Sequence, residues 1–225
     1  MREDKHKNLA FRLCALLGAA IVCHGCGIVS LLGTPTRHEK KVAAEYDLIK
    51  HKNKRVLVLV DQPAWLNAQA NLRYYLTEAI NDQLSRKIKF LPEYIVSYGQ
   101  LSEFRARRTD LASLSAVEVG AALRAEVVLL VGVRYCELKP LGDRAYYKAS
   151  LGAQAALFDV GGGARLWPQS APARSIRVGF EIESRGREVA VSRLTAAAAH
   201  CIVRYFYNCP QDRFKIAEEI AEVEW

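Results

Sequence analysis

The stretch that most constrains this fold runs from Glu126 to Cys136, EVVLLVGVRYC. Apolar residues occupy its odd positions (Leu129, Val131, Val133) and its even ones (Val128, Leu130). A strand covered on one face would alternate, so this one is expected mid-sheet with both faces buried. A second run, 146–160, places Ala149, Leu151, Ala153, Ala155 and Leu157 on one side. Between the two lies Pro140-Leu-Gly-Asp143, a turn-forming cluster. The remainder of the chain is expected to pack around this pair.

Upstream, the run from Arg55 to Asp61 (RVLVLVD) is short, continuously apolar and followed by Gln62-Pro63, which predicts a buried strand. Leu72, Leu76, Ala79, Ile80 and Leu84 recur at three and four, giving one apolar face to a helix over about 67–86. Residues 90–98 predict a second strand, with Pro92 near its start, where a missing donor is tolerated. A polar loop then carries Arg105, Arg107 and Arg108. Ser115-Ala-Val-Glu118 is a capping box, with Leu114 and Val119 placed as its hydrophobic staple, and it opens a helix to about Ala125. The order βαβαβ favours helices packed on a sheet.

Downstream, Val160-Gly-Gly-Gly-Ala164 predicts a tight turn rather than a phosphate loop, because no helix opening with Lys-Ser or Lys-Thr follows it. Residues 175–183 alternate, with Ile176, Val178, Phe180 and Ile182 on one face of an antiparallel strand. A long helix over about 188–207 carries the stripe Val191, Leu194, Ala198, Cys201 and Tyr205. Pro210 ends it, and Phe214, Ile216, Ile220, Val223 and Trp225 predict an amphipathic tail helix. The expected fold class is α/β: a mixed sheet with a βαβαβ start, antiparallel hairpins after it, and a long C-terminal helix packed on the sheet.

The first 12 residues are polar with four basic side chains, 13–23 are apolar, and His24-Gly25-Cys26-Gly27 follows. This order is that of a secretory signal. Eleven apolar residues rise only about 16 Å as a helix, short of the roughly 30 Å hydrocarbon core. The junction resembles a bacterial lipoprotein signal, in which a Cys after a small residue becomes the lipid-bearing first residue. Gly25-Cys26 fits that pattern, whereas Cys23 and His24 depart from it. Lipidation at Cys26 is therefore favoured over plain secretion or an uncleaved anchor, and Gly27 after the acceptor favours, by resemblance, the outer membrane. The resulting organisation is a signal peptide at 1–25, a lipid-anchored tether at 26–53, an α/β domain at 54–209 and the tail helix at 210–225.

The chain is half hydrophobic and one-quarter charged, which fits a folded body rather than disorder. Its formal charge of +8 falls to +6 without the first 25 residues, which hold four basic and two acidic side chains. The excess favours acidic partners, but the basic residues are scattered rather than striped, which argues against nucleic acid. Three His remain after residue 25 (His38, His51, His200), without metal-ligand spacing, so neither a metal nor a cofactor is expected. Cys136, Cys201 and Cys209 leave a disulfide open, and their connectivity is not legible. No base, nucleophile and oxyanion donor assemble from the sequence, so no catalytic residue is assigned. In open α/β sheets ligands bind beyond the carboxyl ends of parallel strands, which makes Asp61, Trp65 and Tyr98 candidate ligand-binding residues. Asp61 is equally placed to cap the turn at Pro63, and Trp65 to lie against the following helix.

Over roughly 54–207 the pattern resembles a group of exported bacterial lipoproteins. They include the curli-secretion channel lipoprotein, the exopolysaccharide-export ring lipoprotein and the penicillin-binding-protein activators. Those chains share a helix ending in Ala-Asp, a Val-Leu strand, and a returning strand that ends Asp, Gly, Trp at fixed spacing. Ala125-Glu126 stands where they have Ala-Asp, while Asp159, Gly163 and Trp167 match. The resemblance implies that Asp159 and Trp167 are fold determinants. It also implies a non-enzymatic role as an assembly or accessory component of a secretion, export or envelope-maintenance system. The implied partners are the membrane through the lipid, and a second copy or an envelope protein. The spanning hairpins of the channel member need extra length that this sequence lacks. The other reading is a periplasm-facing binding module for an anionic or sugar ligand near Asp61. Exposed aromatics around that strand end would favour it; a broad apolar patch at a sheet edge or on the tail would favour assembly.

Overall fold

The computed structural model describes residues 40–66, 71–108, 110, 113–142, 146–183 and 186–214. The chain divides into two compact units at Lys40/Lys41, and the body is the second. Cys26, the signal segment and the tail beyond Phe214 lie outside the described residues.

The chain enters the body at β1 (Lys41–Val42) and β2 (Val56–Asp61), and continues through α1 (Leu72–Gln83), α2 (Tyr98–Ala106) and α3 (Ala116–Ala122). The strands β3 (Val127–Pro140), β4 (Tyr146–Asp159), β5 (Arg165–Trp167) and β6 (Arg174–Glu183) follow, then α4 (Arg187–Val203) and β7 (Cys209–Pro210). Among the described residues β2–β6 form a five-stranded sheet, and β1 pairs with β7. β2 is parallel to β3, in register from Val56↔Val127 to Asp61↔Gly132. β4 is antiparallel to β3 on one edge, and on the other to β6 and then β5. The fold is the expected mixed α/β sheet with a long helix packed on it.

Alternation along β2 divides the core. Val56, Val58 and Val60 point to the side of α1 and α4, where Leu72, Leu76, Ile80, Leu194 and Ala198 are fully buried. Leu57 and Leu59 point to the opposite side, against Leu101 of α2 and Val119 of α3. That second layer is short: α2 and α3 cover the sheet only as far as Val128 and half-buried Leu130. Beyond β2 the hairpin of β3 and β4 is bare on this face. There Tyr135 lies over Gly152, where a Cβ would overlap its ring.

Several expectations need correction. The strand expected over 90–98 is reduced to a single bridge between Ile95 and Val56. Pro92 instead opens a tight turn, Pro92–Tyr94, closed by Tyr94 N–H to Leu91 O (3.0 Å) and Ile95 N–H to Pro92 O (3.1 Å). The loop expected to carry Arg105 is largely helix. Ser97 and Gln100 form a reciprocal capping box that starts α2. Residues 41–53, expected in the tether, belong to the body: Leu48 is buried, and Glu45 accepts from Trp167 Nε1 (2.8 Å) and pairs with Arg174 (3.0 Å). Cys136, Cys201 and Cys209 are free and buried. The Gly-rich turn is a hairpin, as expected: Asp159 Oδ2 accepts from Gly162 N–H (2.7 Å), and β5 follows.

Close approach of α3 to the sheet depends on Gly120, where a Cβ would overlap Val128 Cγ2 and come within 2.9 Å of Val160 Cγ2. Overpacking costs about 1–3 kcal/mol, against about 1 kcal/mol gained in helix propensity. Gly120→Ala is therefore expected to lower stability in urea melts. Combining it with Val128→Ala should show favourable coupling of about 1 kcal/mol. A neutral or stabilising Gly120→Ala would mean that α3 does not sit this close.

Candidate functional site

At the carboxyl end of β2 the apolar run stops at Asp61, and the chain turns over Gln62 and Pro63 into a 3-10 turn, Ala64–Leu66. Asp61 continues the alternation of Leu57 and Leu59, which puts it on the α2 side of the sheet. Its neighbour in register is Gly132, above which a Cβ would meet nothing within 4 Å. Among the described residues nothing covers Gly132 beside the last residue of β2.

Two guanidiniums close on the end of β2 from different helices. Arg105 of α2 donates from Nη2 to Val60 O (2.9 Å). Arg73 of α1 donates from Nη2 to Gln62 O (2.9 Å), while its backbone N–H bonds Gln62 Oε1 (3.1 Å). The two carbonyls flank Asp61. Burial lowers the proton affinity of Arg105, the charge of Arg73 lowers it further, and Tyr98 and Asp61 act the other way. Arg105 therefore senses the Arg73 cation. Among the described residues neither Arg73, Arg105 nor Asp61 takes part in an ion pair.

Aromatic rings stand on the same two helices. Tyr98, two turns before Arg105 on α2, meets Tyr74 edge-on at 5.2 Å, and Tyr74 meets Tyr75 at 5.3 Å. Tyr74 is 43% exposed and Trp65 is 62% exposed. Of the three residues expected here, Asp61 and Tyr98 are brought together around Arg105. Trp65 stands exposed in the turn after them. Tyr98 is not at a strand end: it opens a helix, because the segment before it pairs only at Ile95. Sequence reasoning missed Arg73 and Arg105, having placed one on a solvated helix face and the other in a loop. The available signal was Ser97-x-x-Gln100, which would have put Tyr98 and Arg105 on one helical face.

Farther along the bare face, Tyr135, Glu137, Lys139, Lys148 and Ser150 line a separate shallow groove of about 330 Å³. Among the described residues no three His, Cys, Asp or Glu side chains gather as metal ligands, and no helix is long and apolar enough to cross a membrane.

No protein-family model matches the chain, and no curated protein matches it. Solved structures do. The PelC dodecamer from Paraburkholderia phytofirmans is 14% identical over 75% of this chain and 95% of that one, with a TM-score of 0.43. Lipoprotein GNA1162 from Neisseria meningitidis is 16% identical over 67% and 98%, at 0.37. The LpoB C-terminal domain from Salmonella enterica is 18% identical over 62% and 86%, at 0.32. Lipoproteins, the class that the Asp159, Gly163, Trp167 pattern resembles, are thus among the structures the chain is similar to, at low identity.

Two of the thiols are poor nucleophiles. Burial pushes Cys136 up to about 11 and raises Cys201 as well. At pH 8 only about a thousandth of Cys136 would be thiolate. In protein that begins at a blocked Cys26, a thiol-exchange reagent is expected to label none of the three cysteines while the chain is folded and all three in denaturant. Rapid labelling of the folded chain would contradict their burial.

Proposed function

We propose that this chain is a lipid-anchored, non-enzymatic protein of the cell envelope, held by an acylated Cys26 in the outer membrane with its body facing the periplasm. It works there as an assembly or accessory component of a secretion, export or envelope-maintenance system. The observation that carries this reading is the junction Gly25-Cys26, closing an apolar segment too short to span a bilayer. The Asp159, Gly163, Trp167 pattern supports the same class. The site at the end of β2 offers guanidiniums and phenol rings, groups suited to holding a partner rather than transforming it. A second reading, a binding module for an anionic or sugar ligand at that site, is favoured by the exposed Trp65 and Tyr74 and by Tyr98 beside them.

Intact-mass analysis is expected to find the mature chain starting at a diacylated or triacylated Cys26, and Cys26→Ala should abolish membrane retention of the processed form. Retained Met1 together with a membrane-bound mutant would overturn the lipoprotein reading. Light scattering of the detergent-solubilised protein separates the partners. A particle of several chains is expected if a second copy is the partner, and a single-chain mass if another envelope protein is.

A further inference from the structure

We infer that Arg73 and Arg105 form an oxyanion-binding pair, taking a small ligand that carries a carboxylate or phosphate on a ring-shaped body. The inference rests on the second reading above and assigns its ligand chemistry.

Three observations converge. First, both guanidiniums are pinned: Nη2 of Arg105 holds Val60 O and Nη2 of Arg73 holds Gln62 O, each at 2.9 Å. Pinning fixes their remaining donors in direction, so less side-chain freedom is lost on binding. A guanidinium has five N–H donors, and one on each is accounted for by these carbonyls. Second, their charge is only partly compensated. Neither makes an ion pair among the described residues, and Asp61 brings one negative charge to two positive ones. An oxyanion bridging the two would relieve their repulsion through charge-assisted hydrogen bonds. Third, there is a suitable wall. Tyr98 and Tyr74 meet edge to face at 5.2 Å, Trp65 is exposed in the adjoining turn, and among the described residues nothing lies within 4 Å of a Cβ placed on Gly132, beside Asp61. Ring faces of this kind bind the flat, C–H-rich side of a sugar or another ring, while Asp61 is placed to accept from a hydroxyl. Place in the fold agrees, since open α/β sheets bind ligands beyond the carboxyl ends of their strands.

The test titrates the full chain in neutral detergent with four probes: glucuronate, glucose 6-phosphate, neutral glucose and inorganic phosphate. Binding is read by calorimetry and by tryptophan fluorescence. One or both charged sugars are expected to bind more tightly than glucose and phosphate, and their ranking tells carboxylate from phosphate. Arg105→Gln and Arg73→Gln should each weaken that binding about ten- to a hundredfold. Trp65→Ala should weaken the charged sugar but leave inorganic phosphate unchanged. Should a Gln variant melt early, Arg105→Lys and Arg73→Lys keep the charge while removing the fork, and are expected to bind at an intermediate level. If glucose binds as well as the charged sugars and the Arg variants are unaffected, the oxyanion pair is wrong while the ligand-site reading stands. If no probe binds, both fall.

Discussion

The fold depends on the double ladder of β4. Thirteen of its fourteen residues, Tyr147 to Asp159, lie in an antiparallel ladder with β3, while β6 and then β5 take its other edge. A buried strand must satisfy its N–H and C=O groups on both sides, so β4 can be central only if its partners match its length. β3 does so with one irregularity between Val133 and Tyr135. β2 does not: at six residues it accompanies only the first part of β3. This mismatch organises the rest. Where β2 is present, helices cover both faces. Beyond it one face is bare among the described residues, and β3 reads out that change as its burial alternates from Leu129 to Arg134. The candidate site lies between the two regimes, where the edge strand β2 stops and its neighbour β3 continues.

Much of this was legible in the sequence because the core pattern is local. Unbroken apolar character from Val127 to Val133 means two covered faces, and the stripe from Val191 to Tyr205 means one. The capping box at Ser115 and the turn after Asp159 are equally local devices. Tertiary pairing decided what was not legible. The 90–98 segment has strand-like composition, but with Pro92 at its start it makes one bridge to Val56 and no ladder. Residues 41–53 look like a solvated leader by charge, yet Glu45 reaches Trp167, 122 positions away, and Arg174. Nothing in a window around Glu45 announces that contact.

The site was legible in part for the same reason. Asp61 was expected from the rule for strand ends, and it stands at the carboxyl end of β2, which runs parallel to β3. Tyr98 reached the site by another route than the one expected, from a helix whose ring meets Tyr74. Arg73 and Arg105 come from two helices, and each alone is an ordinary surface cation. Only the carbonyls of Val60 and Gln62, one residue either side of Asp61, bring them to one place. An overall charge excess that looked scattered along the chain is therefore locally concentrated in space.

Contrast with Arg204 shows why that concentration matters. Arg204 is 5% exposed, yet its charge is absorbed within the chain. It donates to Phe214 O (2.8 Å) and Tyr205 Oη (3.0 Å), and its guanidinium carbon lies 4.3 Å from the Phe214 ring centroid and 5.0 Å from that of Tyr205. Arg174 covers Tyr205 as well, at 4.6 Å, and also pairs with Glu45. There the aromatic faces and the carboxylate are consumed by the protein itself, and the result is a clasp joining residue 45, β5 and the segment after α4. At the end of β2 the same residue types are assembled, but the rings face solvent and the carboxylate pairs with neither guanidinium. The chemistry is alike in both places. One set is closed on itself, and the other is left open to a partner.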